Sequence, residues 1–96
     1  MAYRSPKLLA FANGQPCANC GLSGTTVSAH TNSVALGKGT AIKAPDYYTA
    51  HLCQACHDLV DGRTGKWSRA LRMEIWTRAY LRTVARWFES GVVVVK

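Results

Sequence analysis

The sequence contains no apolar run approaching the roughly 20 residues needed to cross a bilayer, and no signal peptide opens it, so a membrane-spanning or secreted protein is not expected. Carboxylates are scarce. Five Asp+Glu stand against twelve Lys+Arg, giving a formal charge of +7 and a pI near 9.6. That shortage of acid excludes a surface built to attract cationic partners. It favours a polyanionic partner, with nucleic acid ahead of a membrane surface, over the plainer reading of a basic surface kept for solubility. Internal repeats and low-complexity tracts are lacking, which excludes solenoid and fibrous architectures. Cysteine is limited to four residues; in a chain expected in the cytoplasm these are metal ligands sooner than disulfides. With 96 residues there is room for one domain, spanning 1–96, that buries only about 60–65% of its unfolded surface. At 48% hydrophobic and 9% aromatic the chain is nevertheless too apolar to be disordered.

Along the chain, residues 1–16 form a mixed leader. Ala2–Lys7 is expected to be extended, Leu8–Ala12 to cover the core, and Asn13-Gly14-Gln15-Pro16 to turn. Residues 17–62 are dense in Gly, Ser, Thr, Cys and His without a sustained 3.6-residue period, as expected of short strands and loops. From Trp67 to Glu89 the pattern becomes helical: steps of about 100° gather Met73, Trp76, Tyr80, Val84 and Trp87 on one face, with Ala70, Leu81 and Phe88 beside them. That spacing makes Trp76, Tyr80 and Trp87 core residues in preference to base-stacking platforms. Gly91 follows as a C′ residue, and Val92–Val95 reads as a short terminal strand.

Cys17-Ala18-Asn19-Cys20-Gly21 and Cys53-Gln54-Ala55-Cys56 are two C-x2-C pairs. A two-residue gap lets both thiolates of a pair face one ion, and two pairs complete a tetrahedral shell. The intervening residues 21–52 exceed the spacing of a common zinc ribbon, so a substantial segment is inserted between the knuckles. Structural Zn2+ on Cys17, Cys20, Cys53 and Cys56 is the expectation; disulfides or a thioredoxin-like redox pair are the alternatives, and the latter usually needs only one such motif.

The aspartates of the chain are Asp46, Asp58 and Asp61, all around the second knuckle. On a helix starting at that knuckle, His57 and Asp61 are i and i+4 and can grip one cation, whereas Asp58 serves as a charge near the helix N-terminus. His30 lies in the strand-like Val27-Ser28-Ala29-His30, and His51 carries a weaker functional signal than either of the other histidines.

These residues carry a resemblance. Cys17-x2-Cys20-Gly21, Ala29-His30 and Leu52-Cys53-x2-Cys56-His57-x3-Asp61 resemble the HNH (ββα-metal) nuclease pattern with zinc-binding knuckles. The chain is similar in particular to small phage- and prophage-encoded nucleases of nearly the same length, in which a Gly-Lys-Gly-Thr-x-Ile-Lys-x-Pro-Asp segment, here 37–46, lies between the histidine and the second knuckle. The likeness spans about residues 15–62 and weakens through the helix at about 67–89. It implies an α+β fold: a small zinc-stapled ββα-metal module, a β-hairpin followed by a helix with a catalytic cation between them, joined here to the long C-terminal helix and the short terminal strand. By the same resemblance His30 is the general base, and His57 and Asp61 are cation ligands, with Asp46 an optional third. Ala29 stands where many HNH proteins place a ligand, and the central Asn is absent, with Tyr48 near its place and Asp46 the nearest polar residue. Ligand hardness favours Mg2+ or Mn2+, while a histidine ligand also admits Zn2+ or Ni2+.

Residues 63–96 hold eight Lys or Arg and two Glu. Arg78, Arg82 and Arg86 at i, i+4 and i+8 read as a stripe following a phosphate backbone, with Lys38 and Lys43 adding phosphate contacts near the site. The leading expectation is therefore a metal-dependent DNA endonuclease in the cytoplasm of a bacterial host cell, acting on DNA, branched and single-stranded forms included. The rivals are a zinc-stapled nucleic-acid-binding module without catalysis, and an interaction protein whose 92–95 strand pairs with a partner or with a second copy as a homodimer.

Overall fold

A computed structural model of the chain describes residues 3–33, 36–39 and 43–95. Ala2 of the expected extended leader and residues 40–42 of the Gly-Lys-Gly segment lie outside them. Five elements follow in order: α1 (Pro6–Ala10), β1 (Val27–His30), β2 (Thr49–Leu52), α2 (Gln54–Val60) and α3 (Arg69–Ser90). The leader is not extended up to Lys7. Ser5 caps α1 by accepting a hydrogen bond from the Leu8 amide, and Pro6, pre-set in φ and lacking an N–H, fits the first turn.

The two strands pair antiparallel, with Val27 opposite Leu52, Ser28 opposite His51, Ala29 opposite Ala50 and His30 opposite Thr49. Every residue of β2 is buried, because α3 crosses one face of the pair while α1 packs along β1. Alanines make that close approach: Ala29, Ala50 and Ala79 are all buried where sheet and helix meet, and the Trp76 indole N–H reaches the Ala29 carbonyl at 3.0 Å. Lower on the helix, Thr83 Oγ accepts from the His51 amide at 2.9 Å.

Ser68, not Trp67, sets the start of α3, accepting from the Leu71 amide, and Gly91 ends it at φ 81° in the left-handed region where a side chain is strained. The helix packs through a narrow stripe, Trp76, Ala79, Thr83 and Trp87. Leu81 and Phe88, expected beside that stripe, are 64% and 50% exposed, since a two-stranded sheet is too narrow to cover the helix flanks. Residues 92–95 do not form the expected strand; the Val93 amide instead bonds back to the Trp87 carbonyl at 3.1 Å, wrapping the helix end. No helix among the described residues is long and apolar enough to cross a membrane.

Candidate active site

The two cysteine motifs meet at one point. The Cys17–Gly21 turn closes through a Gly21 N–H to Cys17 carbonyl bond of 2.9 Å, with Gly21 at φ 84°. Cys53 is the N-cap of α2 and Cys56 lies in its first turn. All four Sγ atoms fall within 4.8 Å of one another, and Cys20 and Cys53 are 3.6 Å apart. A tetrahedral zinc site with bonds near 2.3 Å has S–S edges of about 3.8 Å, so the cage is of the right size. Its electrostatics fit as well. The Asn19 and Cys20 amides both lie 3.4 Å from Cys17 Sγ, and the Asn19 side chain lies 3.4 Å from Cys56 Sγ. Burial opposes ionisation of these thiols, yet the surrounding amides bring Cys17 down to about 6. Burial and the neighbouring sulfurs push Cys56 up to about 12. The Cys17 thiolate forms readily, whereas Cys53 and Cys56, both raised by burial, need a divalent cation beside them, as expected of residues that would hold structural zinc.

A second cluster lies at the far end of the strand pair. β1 ends on His30, whose Nε2 is 2.8 Å from Asp46 Oδ1. Asp46 is 2% exposed, and both of its oxygens are engaged. Oδ1 also takes Arg4 at 3.2 Å, and Oδ2 accepts from the Ser5 amide at 2.7 Å. Burial raises the Asp46 pKa, but the His30 and Ser5 hydrogen bonds and the His30 and Arg4 charges outweigh it, holding the carboxyl below the ordinary 3.8. An ionised carboxylate only accepts, which makes His30 Nε2 the donor and, in the neutral ring, Nδ1 the acceptor.

On α2, His57 Nε2 and Asp61 Oδ2 are 3.1 Å apart, brought together by one helical turn. Adjacent ligands on an octahedral cation at about 2.1 Å lie about 3 Å apart, so the pair fits a shared divalent ion that keeps several waters. Asn32 donates to Asp61 Oδ1 at 2.9 Å, and Arg63 lies 3.5 Å from Oδ2. Burial raises the Asp61 pKa; the contacts with His57, Asn32 and Arg63 bring it below the ordinary 3.8. His30, Asn32, His57 and Asp61 line one cavity of about 340 Å³, together with Lys38, Lys43 and Arg63.

The family described as "Putative nuclease YbcO" matches residues 6–92. The chain belongs to the YbcO family. It is 35% identical over 69 residues, 72% of its own length and 71% of the relative's, to "Putative nuclease YbcO" of Escherichia coli K12. The same figures hold for the protein of that name from Enterobacteria phage 82. Among solved structures, "Structure of a putative bacteriophage protein" from E. coli K-12 MG1655 superposes with a TM-score of 0.66 at 28% identity, covering 86% of this chain and 98% of that one. The YbcO match covers α1, both strands, both knuckles and all of α3, so every residue of the cavity lies inside it.

Several expected placements need correction within this YbcO chain. Asp46 does not face the cavity as a third cation ligand; its two oxygens are taken by His30, Arg4 and Ser5. Tyr48 packs on Tyr80 as part of the core edge. His51 is fully buried between Phe11 and Trp87, and burial and the Arg86 charge lower its pKa to about 4, so it is a neutral core histidine. In the arginine stripe Arg78 and Arg82 are exposed and Arg86 is half-buried, and each also has a partner within the chain. Arg82 donates to the Ala18 carbonyl at 2.6 Å, Arg86 donates to the Pro16 carbonyl at 2.7 Å, and Arg78 is 3.6 Å from Glu74. Sequence reasoning missed Asn32, although its signal was present: in an extended segment, residues i and i+2 share a face, and Asn32 is two residues beyond His30. Arg4 carried no comparable signal, because its partner is 42 positions away.

Proposed function

We propose that this YbcO chain is a metal-dependent DNA endonuclease of the HNH type. The observation that carries the reading is the shared cavity, where a histidine backed by a buried carboxylate faces a His–Asp pair at cation-ligand spacing. The antiparallel pair followed directly by α2, and the word nuclease in the names of both relatives, support it.

In this reading His30 Nδ1 accepts the proton of the attacking water. Asp46 fixes the ring orientation and stabilises the imidazolium that results. A Mg2+ or Mn2+ ion held by His57 and Asp61 would neutralise charge on the phosphorane-like transition state and the leaving 3′-oxygen. Asn32 orients the Asp61 carboxylate from its other oxygen, and Lys38, Lys43 and Arg63 draw the phosphate backbone to the rim. Zinc on the four cysteines would have a closed sulfur shell and so a structural role.

Plasmid nicking by zinc-replete protein, with Mg2+, with Mn2+ and without added divalent ion, tests the proposal. Nicking is expected only in the metal arms. His30→Ala should lower its rate by about 10²–10⁴-fold while leaving DNA affinity unchanged. DNA binding without cleavage in any arm would favour a non-catalytic module, and full activity in the His30→Ala variant would remove His30 as the base.

A further inference from the structure

Beside the catalytic cavity lies a smaller one of about 130 Å³, between residues 31–33 and the first turns of α3. Thr31 and Asn32 line both cavities, so the two are contiguous through the residues that follow the proposed base. Arg69 and Arg72 supply the cationic wall of the smaller one. The side chain of Arg72 is unusual in this chain. Its Nε is fully shielded from solvent and has no hydrogen-bond partner. Among the described residues no carboxylate lies within ion-pair distance of Arg69 or Arg72, whereas Arg4 and Arg78 each have one and Arg63 has two. A guanidinium that lines a cavity with no carboxylate beside it keeps its charge available to an anion there.

The position of that guanidinium is also built. Gly62, at φ 80°, sits directly after Asp61, and a Cβ placed there would lie 2.6 Å from Arg72 Nη1 and 3.0 Å from Cζ. The planar group therefore lies close against the Gly62 backbone, one residue from the proposed cation ligand. Unpaired positive charge and a polar opposite wall of Thr31, Asn32 and Ser33, above an apolar floor of Val60, Met73 and Trp76, suit a tetrahedral oxyanion, for which the guanidinium fork is well shaped.

We infer that the Arg69–Arg72 cavity is a phosphate subsite that binds the backbone phosphodiester next to the scissile one and sets the register of the strand across His30. This rests on the nuclease reading. Arg72 and Arg69 act there as positioning residues, holding the strand while His30 and the His57–Asp61 pair face the reacting bond.

The test is DNA binding by zinc-replete protein, followed by fluorescence anisotropy over a salt series, for wild type, Arg69→Gln, Arg72→Gln and, as a control, Lys7→Gln on the exposed face of α1. Each cavity variant should weaken binding about tenfold and make the slope of log K against log salt shallower by about one, while the control stays at wild type. Zinc content checks folding. Should Arg72→Gln fail to retain zinc, Arg69→Gln, whose side chain is solvent-exposed, decides the matter alone. Wild-type slope and affinity in a folded cavity variant would overturn the subsite and leave the nuclease reading standing. Absence of DNA binding and of cleavage by the wild-type protein would overturn both.

Discussion

Asp46 joins three segments through one carboxylate: the leader through Arg4 and Ser5, the end of β1 through His30, and its own turn ahead of β2. Because the folded carboxyl titrates below 3.8, its contribution to stability is present above that pH and is lost as the pH falls through the lower folded value. Asp46→Asn should therefore destabilise the protein at neutral pH by about 1–2 kcal/mol and flatten the acid limb of its stability profile below about pH 4. The same change removes the charge that assigns the His30 proton to Nε2, so nicking should slow by about tenfold or more. An acid limb unchanged from wild type, measured by denaturant unfolding, would show that Asp46 is not its source.

At the level of elements, α3 is a clamp on the first knuckle. A period of 3.6 sets Arg82 and Arg86 away from the expected face of Met73, Trp76, Tyr80, Val84 and Trp87, but the buried stripe runs through Trp76, Ala79, Thr83 and Trp87, which puts Arg86 on its flank. Both arginine side chains reach along the helix flank to the carbonyls of Ala18 and Pro16, where the chain enters the Cys17–Cys20 turn. Arg86 also lies 3.2 Å from Nδ1 of the buried His51. Replacing both arginines with Gln should cost about 1–2 kcal/mol of stability and speed zinc release to a chelator. Arg78→Gln, on an exposed pair with Glu74, should remain within about 0.5 kcal/mol of wild type. Equal zinc-release rates for the double variant and wild type would return those arginines to the solvent.

For the whole molecule, the limiting quantity is apolar volume. Among the described residues, six of the fourteen buried hydrophobic ones are alanines and three are cysteines, so few large side chains leave water. A core of that kind is small for a chain this short, and a metal ion held by the four cysteines would add the folding energy that it lacks. Cys53→Ser is expected to abolish the folded state, and wild-type protein should carry one tightly bound zinc per chain and unfold when a strong chelator removes it. Folded protein with no bound zinc by elemental analysis would contradict this.

Local chemistry made much of this chain legible. Cysteine spacing alone brought out the four-cysteine cluster, because two C-x2-C pairs have few other uses. The His57–Asp61 pairing followed from helical geometry, and the burial of Trp76 and Trp87 from a period that repeats over several turns. What sequence could not fix were contacts set by the path of the chain between distant positions. Asp46 turns to His30 and Arg4 because the segment before β2 folds back over the leader, and neither partner is near it in sequence. Arg82 and Arg86 face the protein because the first knuckle rises along the flank of α3. Residues 92–95 have strand-forming composition but no neighbouring edge to pair with, so they wrap the helix end. Propensity and period act over a few residues, whereas a long side chain is placed by whatever backbone the fold brings within its reach.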